Sequence, residues 1–283
     1  MHYKNRKLHR LFKIIFAFDL ICFVAIVCIT KISYAGNNQS SALANVGNAQ
    51  PAAAVFNTIQ KPVINDTQTK LDYINEHPEI YGDKLIEVAN KTDELIDFVY
   101  DYPNEIDTYH DDDISGEVDT DTVPHLYQFD KRWGYQEYSG GLLGYTGCGP
   151  TSLSMVLMYL TKDTTLTPAK VADYATEAGY SCDGSGSYWT LMSEGCKHFG
   201  VSSSEVPLNE GSMVNALNEG KPIICIMGPG EFTDNGHFIV LTDYVDGKFK
   251  VNDCFSPKRS QKLWSYDEMS DQIRNIWCFY LSE

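Results

Sequence analysis

The dipeptide Asp246-Gly247, set between two strand-like runs, constrains the fold of this 283-residue chain more than any other feature. Phe238 to Tyr244 and Lys248 to Asp253 read as strands, and so short a connection returns the chain antiparallel beside itself. A two-residue turn opposes Leu241 to Asn252 and places His237 and Asp253 on opposite faces. A three-residue turn, Val245-Asp246-Gly247 with Gly247 left-handed in a glycine bulge, opposes Leu241 to Val251 and Ile239 to Asp253. Only the second gathers His237, Ile239, Leu241, Phe249, Val251 and Asp253 on one face, apolar except at its end. The hydrophobic pattern therefore selects the register in which His237 and Asp253 are neighbours.

Helical patterns precede that hairpin. A helix is predicted from Cys148 through Leu160, because Pro150 suits a first turn and Leu153, Val156, Leu157 and Leu160 form an apolar stripe. Further helices are predicted at Pro168 to Ala178, at Ser187 to Phe199 with Gly200 as its C-terminal cap, and at Met213 to Asn218. Pro222 to Met227 reads as a strand, Tyr266 to Ile273 as a helix and Ile276 to Leu281 as a last strand. Helices first and an antiparallel sheet after them indicate an α+β fold, and the lack of long parallel crossovers disfavours a doubly wound sheet.

The chain divides into five stretches. Residues 1–35 combine Lys4, Arg6, Lys7, Arg10 and Lys13 with an apolar run from Leu20 to Ile29 and a Ser33-Tyr34-Ala35 site before Gly36, the pattern of a signal peptide. Leu11 to Thr30 alternatively spans a bilayer as an uncleaved anchor if Asp19 is tolerated, and either reading exports the rest, to be secreted or held at the cell envelope by this one segment. Residues 36–68 are polar and read as a flexible stalk, 69–102 as two short helices divided around Pro78 to Gly82, and 103–122 as an acidic linker without the calcium-loop spacing. Residues 123–283 form the folded domain and hold every candidate catalytic position. The upstream helices are then either separable or a pro-region shielding the cleft.

Charge narrows the partners. The net charge is −16, and six of the 22 basic residues but only one of the 38 acidic ones precede residue 36, so the exported part is more acidic still. Such a surface repels phosphate backbones, which excludes nucleic acid and leaves a peptide, a protein or a cell-wall polymer as partner, with membrane contact only through the N-terminal segment. No CxxC or His-spaced pair calls for zinc, and no cofactor or metal is expected. Cys148, Cys182, Cys196, Cys225, Cys254 and Cys278 follow the export segment, and their pairing is not legible in the sequence.

Gly147-Cys148-Gly149-Pro150-Thr151-Ser152 sets a cysteine where a glycine-rich turn opens a helix. The helix dipole and free N–H groups there stabilise a thiolate, and the glycines would admit a substrate backbone. A buried structural cysteine at a tight turn fits equally well on this feature alone. A nucleophilic cysteine also needs an imidazole, and the imidazole an orienting group, which His237 and Asp253 supply if the hairpin has the register above. The Cys148 N–H is one oxyanion donor, and the Gln128 side-chain amide is a candidate second, with Gln136 competing. Tyr188 and Trp189 either line a cleft or pack in the core, and Gly228-Pro229-Gly230 reads as a cleft-edge loop.

Gln128 to Trp133, Gly147 to Ser152, Gly236-His237-Phe238-Ile239-Val240-Leu241 and Val251-Asn252-Asp253 occur in an order that resembles the C-thirty-nine-like cysteine peptidases, papain-fold bacterial proteins related to bacteriocin-leader peptidases. The resemblance covers about residues 123–283, and Tyr81 to Tyr102 looks like the helical region ahead of this domain in exported Gram-positive members. It implies a papain-like fold, Cys148 as nucleophile, His237 as general base and acid, Asp253 as orienting residue and Gln128 as oxyanion donor. Cys254 stands where the family often has proline, and Gln128 lies farther from the cysteine than in leader peptidases. An exported peptidase is thus the leading expectation. A cell-wall peptidoglycan amidase or endopeptidase, and a non-catalytic peptide-binding module, are the alternatives.

Overall fold

Three helices open the part of the chain, residues 61–283, that the computed structural model describes. The predicted export segment, and the stalk up to residue 60, lie outside the described residues. Helix α1 (Thr67–Glu76) starts where the Asp66 carboxylate accepts the Thr69 N–H at 2.7 Å. Helix α2 (Pro78–Lys91) has proline in its first turn and bends at Gly82, whose φ of 65° is left-handed. A 3-10 turn (Asp93–Leu95) leads into α3 (Ile96–Glu105). The two predicted helices are therefore three, because the chain breaks at His77 and Thr92 and only kinks at Gly82.

Residues 106–136 have no helix or strand, yet they are tied to the rest: Ile114 is buried in the main core, and Asp112 accepts the Thr167 hydroxyl at 2.5 Å. A minimal hairpin of β1 (Glu137–Tyr138) and β2 (Gly141–Leu142) and one turn of α4 (Leu143–Thr146) precede α5 (Cys148–Thr161). Next come α6 (Pro168–Glu177) and a second small hairpin, β3 (Ser181–Cys182) with β4 (Gly186–Ser187). The helix predicted over Ser187 to Phe199 is broken into α7 (Thr190–Ser193) and a 3-10 turn (Gly195–Phe199), which ends at left-handed Gly200.

The remainder builds the sheet. Its elements are β5 (Val201–Glu205), α8 (Glu210–Asn218), β6 (Ile223–Met227), β7 (His237–Val245), β8 (Lys248–Asn252), α9 (Pro257–Ser260), β9 (Leu263–Trp264), α10 (Tyr266–Met269) and β10 (Ile273–Leu281). Six strands pair antiparallel in the order β5-β10-β6-β7-β8-β9. Strand β5 was missed in the sequence because Ser202, Ser203 and Ser204 give it no apolar alternation.

Alternation along the central strands sends side chains to two cores. Ile224, Ile226, Phe238, Val240 and Phe279 meet Leu153, Met155, Val156 and Leu157 of α5, which is buried on nearly every side over its first three turns. Ile223, Cys225, Ile239, Leu241, Phe249 and Val251 face Met213 of α8, Trp264 and Met269. The sheet is thus covered on both faces, and α5 delivers its N-terminus to the edge where β7 begins. A third core belongs to the upstream helices, where Ile74, Leu85, Leu95 and Phe98 gather around Tyr135. Among the described residues no helix is long and apolar enough to cross a membrane.

The hairpin register departs from the predicted route but reaches the predicted end. Val245 pairs with Lys248, and both Asp246 (φ 52°) and Gly247 (φ 75°) are left-handed. The connection is therefore a two-residue turn whose twist matches the strands, not the three-residue glycine bulge. Beyond it the register shifts between Leu241 and Asp243, with Thr242 as the extra residue, so that Leu241 opposes Val251 and Val240 opposes Asn252. The bulge sits inside β7, where burial of Ile239, Leu241, Phe249 and Val251 on one face dictates it.

Candidate active site

Cys148 is the first residue of α5, so its backbone N–H lies among the unpaired donors at the positive end of a fourteen-residue helix. The flanking glycines have an internal reason to be there. A Cβ on Gly147 would stand 2.6 Å from the Leu143 carbonyl oxygen, and one on Gly149 would stand 2.3 Å from Ser187 Oγ. These contacts, more than the approach of a substrate, require glycine on both sides of the cysteine. The glycines thereby let the chain turn closely from α4 into α5, where Cys148 is partly exposed.

His237 is the first residue of β7, and its Nε2 lies 2.7 Å from Asp253 Oδ1. Nδ1 is then the ring nitrogen left for Cys148. Asp253, fully buried just past β8, accepts three further hydrogen bonds: the Phe255 N–H at 2.9 Å and the Ser256 N–H at 3.1 Å on Oδ1, and Arg259 Nε at 2.6 Å on Oδ2. Burial opposes its charge, but His237 and Arg259 outweigh burial and hold the carboxyl well below the usual carboxylate range. Burial likewise opposes an imidazolium at His237. The charge and hydrogen bond of Asp253, with those of Cys148, overcome it and raise the pKa. For Cys148, burial favours the neutral thiol, while the hydrogen bond and charge of His237 lower the pKa. The cluster therefore favours the thiolate–imidazolium pair.

Gln128 is also fully buried, on a segment held along the chain that leaves β8: its N–H donates to the Cys254 carbonyl at 2.9 Å, and Asn252 Nδ2 donates to the Val123 and Pro124 carbonyls. Its amide orientation follows from its neighbours. Nε2 donates to the Gly144 carbonyl at 3.0 Å, and Oε1 accepts from the Cys254 thiol at 3.4 Å, so the second amide hydrogen is available to the cleft. Gln136 instead reaches Asp173, at 2.5 Å. Cys148, His237, Asp253 and Gln128 thus converge, and Gln136 does not.

Cys148, His237 and Gln128 border a cleft of 470 Å³. One wall is the loop from Gly230 to Gly236, so that of Gly228-Pro229-Gly230, expected at the cleft edge, Gly230 lines the cleft. The opposite wall is α2, through Lys84, Glu87, Val88 and Lys91, a contribution that periodicity within α2 could not show. Tyr188 and Trp189 are about half exposed and lie outside the cleft lining, with Trp189 edge-on to Trp277. The remaining participants that sequence reading missed are Arg259, brought to Asp253 by the short helix that Ser256 caps, and the Cys254 thiol on Gln128. The Ser256-Pro257 start signal six residues before Lys262 was the one visible hint of that helix.

Among the described residues, His237, Asp253 and Cys254 place potential metal ligands within 4.8 Å of one another. Asp253 already has four donors, one of them the Arg259 cation, and burial pushes the Cys254 thiol well up, so this set suits a hydrogen-bonded proton network better than a cation. The six cysteines from Cys148 onward are free thiols.

Residues 120–279 match the family model described as the Peptidase_C39 like family. Two solved structures are similar to this chain. One is the peptidase domain of Streptococcus ComA, a bi-functional ABC transporter involved in a quorum sensing pathway, at 14% identity and a TM-score of 0.37, covering 48% of this chain and 91% of that one. The other is a C39-like peptidase from Bacillus anthracis, at 16% identity and a TM-score of 0.35, covering 57% and 96%. No curated protein matches the chain.

Proposed function

The chain belongs to the Peptidase_C39 like family, and from that premise we propose that it is an exported peptidase working through Cys148, His237 and Asp253. Family membership supports a cysteine-peptidase type of activity on a peptide or protein. The observation that carries the finer reading is the 2.7 Å hydrogen bond from His237 Nε2 to Asp253 Oδ1, which fixes the ring and leaves Nδ1 for the thiol. Cys148 Sγ attacks the scissile carbonyl as a thiolate. The oxyanion that forms meets the Cys148 N–H and the free hydrogen of Gln128 Nε2. His237 then delivers its proton to the leaving amine, and the C–N bond breaks to give a thioester on Cys148. With the amine gone, neutral His237 takes a proton from water as that water attacks the thioester, and the thiol and a carboxylic acid are regenerated.

Asp253 stays ionised throughout and stabilises the imidazolium. Export through residues 1–35, as a cleaved signal or an anchor, is part of the same proposal, and it directs the activity to peptides outside the cytoplasm. The test is stoichiometric labelling of purified protein with a peptide-based thiol-directed warhead, together with hydrolysis of a peptide library. Both should vanish in Cys148→Ala and fall by orders of magnitude in His237→Ala. A wild-type protein that cuts no peptide and resists the warhead refutes the assignment. Fractionating cells with an antibody to the domain tests export, which fails if the protein stays in the cytoplasm.

A further inference from the structure

Apart from Arg259, the charged side chains of the cleft walls lie in ion pairs at the protein surface. Lys84 pairs with Glu87 at 3.0 Å and Lys91 with Asp234 at 2.8 Å across the two walls, while Glu231 lies 3.9 Å from Lys262, whose closer partner is Glu268 at 2.9 Å. Arg259 is different. Its Nε–H is committed to Asp253 Oδ2, a carboxylate already shared with His237. The other edge of its guanidinium, Nη1 and Nη2, has no hydrogen-bond partner among the described residues.

The residue is anchored by its backbone and by Asp253. The Arg259 N–H donates to the Ser256 hydroxyl at 3.1 Å, and the Arg259 carbonyl accepts from Trp264 Nε1 at 3.0 Å. The ring centroids of Phe232 and Phe255 each lie 5.9 Å from the guanidinium carbon, and neither ring offers an acceptor atom. The side chain is 22% exposed and borders the cleft, and no acceptor among the described residues meets the two donors. Two parallel N–H groups of this kind fit the two oxygens of a carboxylate, whereas an ammonium offers them no acceptor and an amide oxygen gives neither the second oxygen nor the charge.

We propose that the Nη1/Nη2 edge of Arg259 is a subsite for a substrate carboxylate, carried by the fragment that leaves as the amine. The side of the cleft follows from the order of contacts, Cys148 to His237 to Asp253 to Arg259, because His237 protonates the leaving amine and Arg259 lies on its far side. This deepens the peptidase reading and rests on it only for the side of the bond. The carboxylate is either the C-terminus of a short leaving peptide or an acidic side chain within it. The overall negative charge of the chain works against such a ligand at long range, so the preference arises from the short-range fork.

The experiment compares a mixed-sequence peptide library in three forms: free C-terminus, C-terminal amide, and amide with one acidic side chain at each position in turn. Binding is measured on Cys148→Ala protein, and cleavage on the active chain. At least about tenfold tighter binding of one carboxylate form over the neutral amide is expected, the size of a charge-assisted bidentate contact. Which carboxylate form wins identifies the source. The ratio of acid to amide should fall close to one in Arg259→Gln and stay well below wild type in Arg259→Lys, which keeps a cation for Asp253 but loses the fork. Because each ratio is taken within one variant, any general damage to Asp253 cancels. Equal binding of acid and amide forms by Cys148→Ala protein with Arg259 intact overturns the proposal, as does a preference that persists in Arg259→Gln. Carboxylate-selective binding without any cleavage by the active chain would instead count against the peptidase reading and leave the subsite standing.

Discussion

Phe98 is where the upstream helices meet the body of the protein, and its removal tests whether that junction is one continuous core. The ring is buried, stacks on Tyr135 at 4.5 Å with planes 13° apart, and fills the space over two glycines. A Cβ on Gly144 would lie 2.3 Å from Phe98 Cζ, and one on Gly134 would lie 2.9 Å from Phe98 Cε2. Phe98→Ala should therefore cost about 3–5 kcal/mol, the range for a large ring lost from a close-packed site. Gly144→Ala should cost about 1–3 kcal/mol by overpacking against the same ring. The two changes share a volume, so the double variant should be more stable than the sum of the single effects by about 1 kcal/mol or more. The assay is urea unfolding of the purified chain, followed by tryptophan fluorescence and by pulse proteolysis, whose cleavage sites report whether residues 61–105 open first. A cost below 1 kcal/mol for Phe98→Ala, or strict additivity of the pair, would refute the idea that the helices and the cleft-bearing domain are joined through the core around Tyr135. Since α2 makes a cleft wall, the same result bears on how the cleft is held open.

Limiting iodoacetamide near pH 6 should label Cys148 ahead of the other thiols, because burial raises the pKa of Cys196, Cys225 and Cys254 while His237 lowers that of Cys148; peptide mapping that finds Cys182 or Cys254 first contradicts this. The alkylation rate should rise with pH through the lowered Cys148 pKa, and peptide hydrolysis should decline again as pH passes the raised His237 value of about 9, where the imidazolium is lost. The stability that His237 gains from its partners is fully present below its unfolded pKa near 6.5 and is lost as pH rises through that same folded value, which urea midpoints at pH 6 and pH 10 should report. Asp253 works in the opposite sense: its depressed pKa contributes stability above the unfolded value of 3.8 that is lost on acidification, and Asp253→Asn should flatten the acid limb while lowering hydrolysis at least a hundredfold. Gly247→Val should cost roughly 1–2 kcal/mol at a left-handed position yet leave the specific activity of the folded fraction nearly unchanged, because the Thr242 bulge, not the turn, sets the register at His237.

The sequence by itself determined the local rules. Pro150 and the leucine stripe define the helix that begins at Cys148, compact apolar runs define β6 and β7 and alternation defines β8, and burial of one hairpin face requires His237 and Asp253 to be neighbours. These follow from periodicities of a few residues, which any correct fold must honour. It could not show how the neighbours are reached, since a two-residue turn plus a bulge and a three-residue turn bring the same residues together, and choosing between them depends on packing across the sheet. Nor could it show that Gly147 and Gly149 are required by Leu143 and Ser187, that Phe98 fills the space over Gly144, or that Arg259 lies on Asp253. Those contacts join positions with no shared period. Steric exclusion and paired charge act through space, so only the folded chain decided which wall faces Cys148 and which donors remain free beside it.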